Sequence, residues 1–382
     1  MKKTSGSLIG YFSRLVVQKG GINLAQGKPG FPPPSELLQI LKKKSGHHHL
    51  QQYAPGNGDF DLLNLLAKQY SQYSPVKSDN FVVVQGATEG IFLTFFYLTT
   101  RLLSPYSALS FTPVYESYPE LAKTLNIPFE YFDFEKDLTI NFKRLEEVIR
   151  EKKVKIVFVT SPGNPLGKVW EKDEVTKLIT LSKKMDFFII FDAVYMDIFF
   201  HERPFNPLQV SSIFKGYDKL FYIGSFSKML SITGWRIGYV IAEKTHMAKI
   251  RAIHDYTGLC APTLFQSVIV DYLSQFNFGI KYLDSIRSKC RQSYLFMKGV
   301  LEELNFTIPE IGGGYFLWAG LPDNYQDGYR FALELYKRVK VGIVPGENFS
   351  HTQKQYVRIN IALDFSVIQQ GAGKIKSFFS NG

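Results

Sequence analysis

In the stretch LFYIGSFSKMLSITGWRIGYVIA, residues 220–242, Lys228 and Arg236 are the only charged side chains, although the chain holds 45 Lys plus Arg. A cation inside an apolar run stands apart from the solvated majority. The segments 220–224 and 237–242 have the composition of buried strands of the parallel kind, so Lys228 falls on the turn between them. Desolvation there disfavours the ammonium, lowers the lysine pKa and frees the amine to attack a carbonyl and form a Schiff base. Arg236 offers a planar fork of donors suited to a phosphate, and Ser225 and Ser227 add hydroxyls. An imine-forming lysine beside a phosphate-reading arginine and serine is what pyridoxal 5'-phosphate (PLP) requires.

Asp192 closes the apolar run FFIIF, where a carboxylate is desolvated and needs a cationic partner. The ring nitrogen of PLP supplies one, and the protonated ring accepts the electrons left when a substrate α-proton departs. Residues 155–160 form a strand leading into SPGNPLGKV, whose prolines fix a turn, with cis bonds as one way to do so, and project Asn164. Its amide can donate to the phenolate oxygen of PLP, a contact that Tyr195 would share. Behind the β-branched strand 81–85, Gly86, Ala87 and Thr88 open a helix whose free N–H groups form an anion site. Small residues at such a turn also occur for packing alone. These groups all follow strand ends, where open α/β sheets bind ligands.

The run SFSKMLSITGWRIGYV resembles the cofactor-lysine motif of the fold-type I, class I/II aminotransferases, S-x-S-K followed by G-x-R-x-G. The similarity extends over nearly the whole chain, and its pattern is nearest the kynurenine, glutamine-phenylpyruvate and methionine aminotransferase group. The resemblance implies an α/β PLP-dependent transferase fold of type I. Its mostly parallel central sheet would carry helices on both faces, with a smaller α+β domain beside it. Lys228, Asp192 and Tyr195 become the expected catalytic residues. Gly27, Asn164 and Arg358 would bind substrate, with Arg358 of YVRINIA clamping the α-carboxylate. Tyr115, two residues after Pro113, would stack on the pyridine ring. Tyr53 would cross the interface of a homodimer to the neighbouring subunit's cofactor phosphate, so that the active sites are shared.

The elements that must position these groups can be read from periodicity. Strands alternate with helices through the first two thirds of the chain, which independently argues a mostly parallel sheet covered on both faces. An amphipathic arm over residues 1–21 ends at Gly20-Gly21, a helix is capped at Ser35, and another covers 172–184. From residue 278 the pattern changes to a long helix through 304, then GGGYFLWAGL, a helix over 330–340, VGIVPG and QYVRINIAL. The expected division is an arm at 1–34 joining the small domain, a large PLP-binding domain at 35–277 and a small C-terminal domain at 278–382.

The net charge of +11 is dispersed along the chain rather than gathered into one basic stretch, which argues against nucleic acid as a partner. Cys260 and Cys290 are the only cysteines, so no disulfide framework is expected and the cytoplasm is the expected compartment. No apolar run is long enough to span a bilayer, and His47 to His49 have no carboxylate or cysteine nearby to complete a metal site. A transcriptional regulator carrying an aminotransferase-like domain would need a helix-turn-helix module ahead of Gly27, for which the segment is too short.

Substrate class follows from a departure. In HDYTGLCAP, before Pro262, Asp255 and Tyr256 stand where dicarboxylate-specific relatives carry an arginine. Tyr11, Phe12 and Tyr256 are expected to form an apolar wall instead, with Lys28 and Arg251 as the cations able to read a distal carboxylate. The expected activity moves an amino group between an aromatic, methionine-like or other neutral amino acid and a 2-oxo acid through PLP on Lys228. A cysteine-S-conjugate or cystathionine-type β-lyase is the alternative on the same fold.

Overall fold

The computed structural model describes residues 7–210 and 215–380. The first six residues of the expected arm and the last two of the C-terminal segment lie outside the described residues. The arm begins with a helix, Leu8–Lys19, that stops at Gly20, followed by a two-residue strand, β1 (Ile22–Asn23). The helix expected to be capped by Ser35 instead has Ser35 as its first residue. Pro34 holds the cap position and no side chain caps the backbone, because the Ser35 hydroxyl is spent on Glu36 at 3.0 Å.

Seven strands then build the central sheet: β2 (Phe81–Val84), β3 (Ser107–Thr112), β4 (Phe129–Asp133), β5 (Val154–Thr160), β6 (Phe188–Asp192), β7 (Leu220–Ser225) and β8 (Gly238–Ile241). Their order is β2-β8-β7-β6-β5-β3-β4. The pairs from β4 to β7 are parallel, whereas β8 runs antiparallel to both β7 and β2. The parallel reading of 237–242 is therefore corrected. Between β7 and β8 lie only a one-turn helix, Phe226–Met229, and a tight turn. A parallel neighbour needs a helix long enough to return the chain along the sheet, and this connection has none.

Strand periodicity divides the core. Val82, Val84, Ile156, Phe158, Ile190, Phe221 and Ile223 pack with helices Ala87–Arg101, Ser117–Thr124 and Lys244–Thr257. The alternate residues Phe81, Val83, Val157, Val159, Ile189, Phe191 and Tyr222 pack on the other face, with helices Phe60–Tyr70, Phe142–Glu151 and Lys172–Met185. Side chains at successive strand positions point to opposite faces, so both faces of a sheet covered on two sides must be apolar.

The chain ends in a second sheet region: β9 (Phe316–Gly320), β10 (Val341–Gly342), β11 (Val344–Pro345) and β12 (Tyr356–Asn360). Strands β11, β12 and β9 form an antiparallel sheet, while β10 pairs in parallel with β1 of the arm. A further bond from Asn360 N–H to Leu24 O at 2.8 Å fastens the arm to β12. Phe12 is fully buried there, edge-on to Tyr329. Among the described residues, no helix is long and apolar enough to cross a membrane.

Candidate active site

A cavity of about 340 Å³ opens at the carboxyl ends of β2, β3, β5, β6 and β7 and is closed on its far side by β12 and the segment after β1. Lys228 enters it from the one-turn helix after β7, with its backbone carbonyl held by the Tyr315 hydroxyl at 2.7 Å. Its Nζ donates to Gly27 O at 2.5 Å. Burial, and next the charges of Arg358 and Arg236, lower its pKa from 10.5 to about 8, with Asp192 opposing. The depressed amine expected from the sequence is therefore present, and two guanidinium groups deepen the effect of desolvation.

Asp192 ends β6 and is nearly inaccessible to solvent. Tyr118 donates its hydroxyl to Oδ2 at 2.6 Å, and the Val194 N–H donates to Oδ1 at 3.1 Å. Even so, burial raises the carboxyl pKa, because these bonds and Lys228 only partly offset the desolvation. A further cation or N–H placed against Asp192 would complete its stabilisation. Sequence reasoning overlooked Tyr118, which stacks on Phe158 and also meets the Thr160 hydroxyl. Its only signal was a tyrosine one helical turn beyond Tyr115.

At one end of the cavity lie Ala87, Thr88, Ser225, Ser227, Thr233 and Arg236. Gly86 is the N-cap of helix Ala87–Arg101 and no side chain caps the helix, so first-turn N–H groups remain available to an anion. Gly86 has φ +82°, which favours glycine, and a Cβ there would lie 2.4 Å from Arg236 Nη2, so any side chain would displace that guanidinium. Arg236 is steadied by the carbonyls of Thr233 and Gln85, and Ser225 accepts the N–H of Ser227 at 3.2 Å.

At the other end Arg358, on β12, is only 1% exposed. Its guanidinium lies between the rings of Phe316 and Phe349, at 4.0 and 4.9 Å from their centroids. It donates to Asn164 Oδ1 at 3.0 Å and to Ala25 O at 2.8 Å, while its Nε is buried with no hydrogen-bond partner. Burial lowers its pKa to about 10, still high enough to keep the charge at neutral pH. A buried guanidinium on a cavity wall, with one of its donors unpartnered, suits a ligand carboxylate. Asn164 lies in a loop where both Ser161–Pro162 and Asn164–Pro165 are cis. Tyr195 and Tyr115 complete the wall, and burial raises the pKa of each.

Not every expected residue reaches this cavity. Tyr53 is 82% exposed and does not line it within its own chain. The aromatic wall is corrected: Tyr256 is 94% exposed, Phe12 is buried against Tyr329, and Tyr11 packs on Phe12. Helical spacing turns those arm aromatics toward β10 and the neighbouring helix, leaving Ile9 as the residue of helix Leu8–Lys19 that lines the cavity. Arg251 is bound to the carbonyls of Asp79 and Phe81, so it is no mobile carboxylate reader in this chain, whereas Lys28 does line the cavity. Among the described residues no group of three His, Cys, Asp or Glu side chains could hold a metal ion.

The donor set fits PLP. A phosphate-sized anion end, a buried carboxylate short of a cation and a lysine amine with a lowered pKa share one cavity. Residues 19–375 match the family described as aminotransferase class I and II. The chain is 28% identical over 371 residues to a probable aspartate aminotransferase of Methanocaldococcus jannaschii, covering 94% of this chain and 93% of that protein. It is 28% identical over 391 residues to an aspartate aminotransferase of Thermotoga maritima, covering 97% and 94%. Among solved structures, Pyrococcus protein-A1 superposes with a TM-score of 0.90 at 21% identity, covering 99% of this chain and 97% of that one, which shows a shared fold.

Proposed function

The chain belongs to the class I and II aminotransferase family and is a PLP-dependent transaminase of fold type I; from that premise we propose that its amino donor is an aromatic, methionine-like or other neutral amino acid and its acceptor a 2-oxo acid. When bound, PLP supplies a carbonyl carbon that condenses with amines and a ring that accepts electrons from the substrate α-carbon. Lys228 would provide the amine that secures the cofactor, and its free amine would move a proton to and from the substrate α-carbon. A pKa near 8 keeps a useful fraction of that amine unprotonated at neutral pH. Asp192 would hold the cofactor's ring nitrogen, and Tyr118 fixes that carboxylate by donating its hydroxyl to Oδ2. Asn164 and Tyr195 would hold its phenolate oxygen, Tyr115 its ring face, and Ala87, Thr88, Ser225 and Arg236 on the cavity wall, with Gly86 at the helix N-cap, its phosphate. Arg358, with Gly27 and Asn164 beside it, binds the substrate α-carboxylate.

The observation that carries this reading is the meeting of Lys228, Asp192 and Arg358 in one cavity, each desolvated and each with a shifted pKa. The neutral donor is supported by the engagement of Arg251 with backbone carbonyls away from the cavity. A second reading, aspartate, is favoured by Lys28 on the cavity wall and by the names of the two relatives. We further propose a cytoplasmic homodimer. Cys260 and Cys290 are both free, and exposed Tyr53 is available to a partner's phosphate site.

A panel of amino donors against 2-oxo acids tests the substrate. Methionine or an aromatic amino acid should exceed aspartate by at least about tenfold in kcat/KM. Preference for aspartate would overturn the neutral reading and implicate Lys28; release of pyruvate and ammonia without a new amino acid would establish the β-lyase instead.

A further inference from the structure

Glu116 stands on the cavity wall with no part in the roles above. It follows Tyr115 in the turn between β3 and helix Ser117–Thr124 and is half-buried. Its Oε1 accepts the Ser7 hydroxyl at 2.6 Å. The Leu8 N–H beside that serine is bound to Asn348 Oδ1 at 3.0 Å, so the carboxylate is fixed against the start of the helix that brings Ile9 into the cavity. Its charge acts on Arg358, where it supports the guanidinium against burial, and on Tyr115. Two residues before it the Val114 N–H donates to Phe349 O at 2.8 Å, and the Phe349 ring lies 4.9 Å from the Arg358 guanidinium, so Glu116 belongs to the Arg358 side of the site.

We infer that Glu116 is a specificity-determining residue for the amino donor: it repels a second carboxylate and favours a side chain that is apolar or ends in an N–H donor. The inference rests on the proposal that Arg358 takes the α-carboxylate, since an amino acid anchored there has its side chain within Glu116's field. Glu116 is acceptor-only as a carboxylate. Two such groups brought within about 6 Å in a partly desolvated site repel by enough to change affinity about tenfold or more. The opposing cation on this wall, Lys28, is exposed, and water and salt screen it more than they screen Glu116. A rule that excludes dicarboxylates thus comes from an added negative charge as well as from a missing arginine.

The test uses two non-reacting acids, succinate and 3-phenylpropanoate, and measures their dissociation constants by calorimetry on the PLP-loaded protein. Glu116→Gln should raise the affinity for succinate relative to 3-phenylpropanoate by about tenfold, with a smaller gain at high salt. Glu116→Asp, which retains the charge, should keep most of the wild-type discrimination. An unchanged ratio in Glu116→Gln, or a change of that size in Lys28→Ala alone, overturns the inference. Arg358→Lys separates this from failure of the underlying site: both acids should weaken there. If they do, an unmoved Glu116→Gln ratio sinks only the specificity role; if neither weakens, the α-carboxylate anchor falls and takes the role of Glu116 with it.

Discussion

Lys228 and Arg358 are cations on two walls of one cavity, the sheet's and that of β12, and burial depresses both, yet with opposite consequences. Lys228 falls from 10.5 to about 8, close enough to neutrality to act as an amine, while Arg358 falls from 12.5 to about 10 and remains a charge. The same desolvation leaves one a partly neutral amine near neutral pH and the other a full cation, because their starting points differ. Their supports differ as well. Lys228, Asp192 and Thr88 stand at strand ends of one seven-stranded sheet, whereas Arg358 depends on β12, the arm's Ala25 and the loop bearing Asn164. The contrast teaches that chemistry is concentrated where one sheet fixes every group, and recognition where separate segments meet.

Breaking the first wall should cost turnover most. Lys228→Ala should still bind PLP through Thr88, Ser225 and Arg236, yet lose at least about three powers of ten in kcat. In wild type, borohydride reduction followed by peptide mass spectrometry should place the pyridoxyl group on Lys228; its recovery on another lysine would remove this residue from the chemistry. Asp192→Asn leaves the ring nitrogen without an anionic partner, a loss of about 3 to 5 kcal/mol for a buried pair, and should lower kcat by about two to four powers of ten. Normal turnover would show that Asp192 is structural.

Breaking the second wall should act on KM instead. Arg358→Lys removes the planar fork and should raise KM for any amino donor by about ten- to hundredfold while lowering kcat less. An equal loss in kcat would erase the division between the two walls.

A smaller effect sharpens the comparison through pH. In the protein freed of PLP, acetylation of Lys228 should follow a midpoint near 8, and a midpoint near 10.5 would mean that burial leaves it an ordinary surface amine. Between about pH 8 and 10.5 the folded lysine binds fewer protons than the unfolded one, so this group's contribution makes the protein free of PLP more stable as pH rises through that window. Below pH 8 its full destabilising contribution remains. The smallest signal is recovery from mixing inactive Tyr53→Ala and Lys228→Ala subunits, which should restore partial activity through one intact hybrid site. No recovery despite proven exchange would confine Tyr53 to its own chain.

Composition and spacing around residues 220–242 were enough to bring Lys228 and Arg236 to one cavity, because each sits a few residues from a strand whose apolar run declares it buried. The same locality made Asp192 legible, since a carboxylate closing FFIIF is desolvated by its own strand and must meet a cation or a donor. Tyr118 and Glu116 escaped notice because a tyrosine and a glutamate at a helix start look like ordinary turn residues until the neighbouring strands are placed. The arm misled in the other direction: its aromatics promised a substrate wall, but β1 pairs with β10 and turns Phe12 into the core.

The sequence alone thus determined the strands that lead to Thr88, Asn164, Asp192 and Lys228 and the polar and charged groups at their ends, while β4 went unread, because hydrophobic periodicity and turn chemistry act over a few residues. Tertiary structure alone decided that β8 would run antiparallel, that Arg358 would be left with an unpartnered Nε beside Asn164, and that Ile9, Lys28 and Glu116 would share one wall. Those outcomes depend on contacts between distant segments, and burial, which sets the pKa of Lys228 and the reach of Glu116's charge, exists only once those segments have packed.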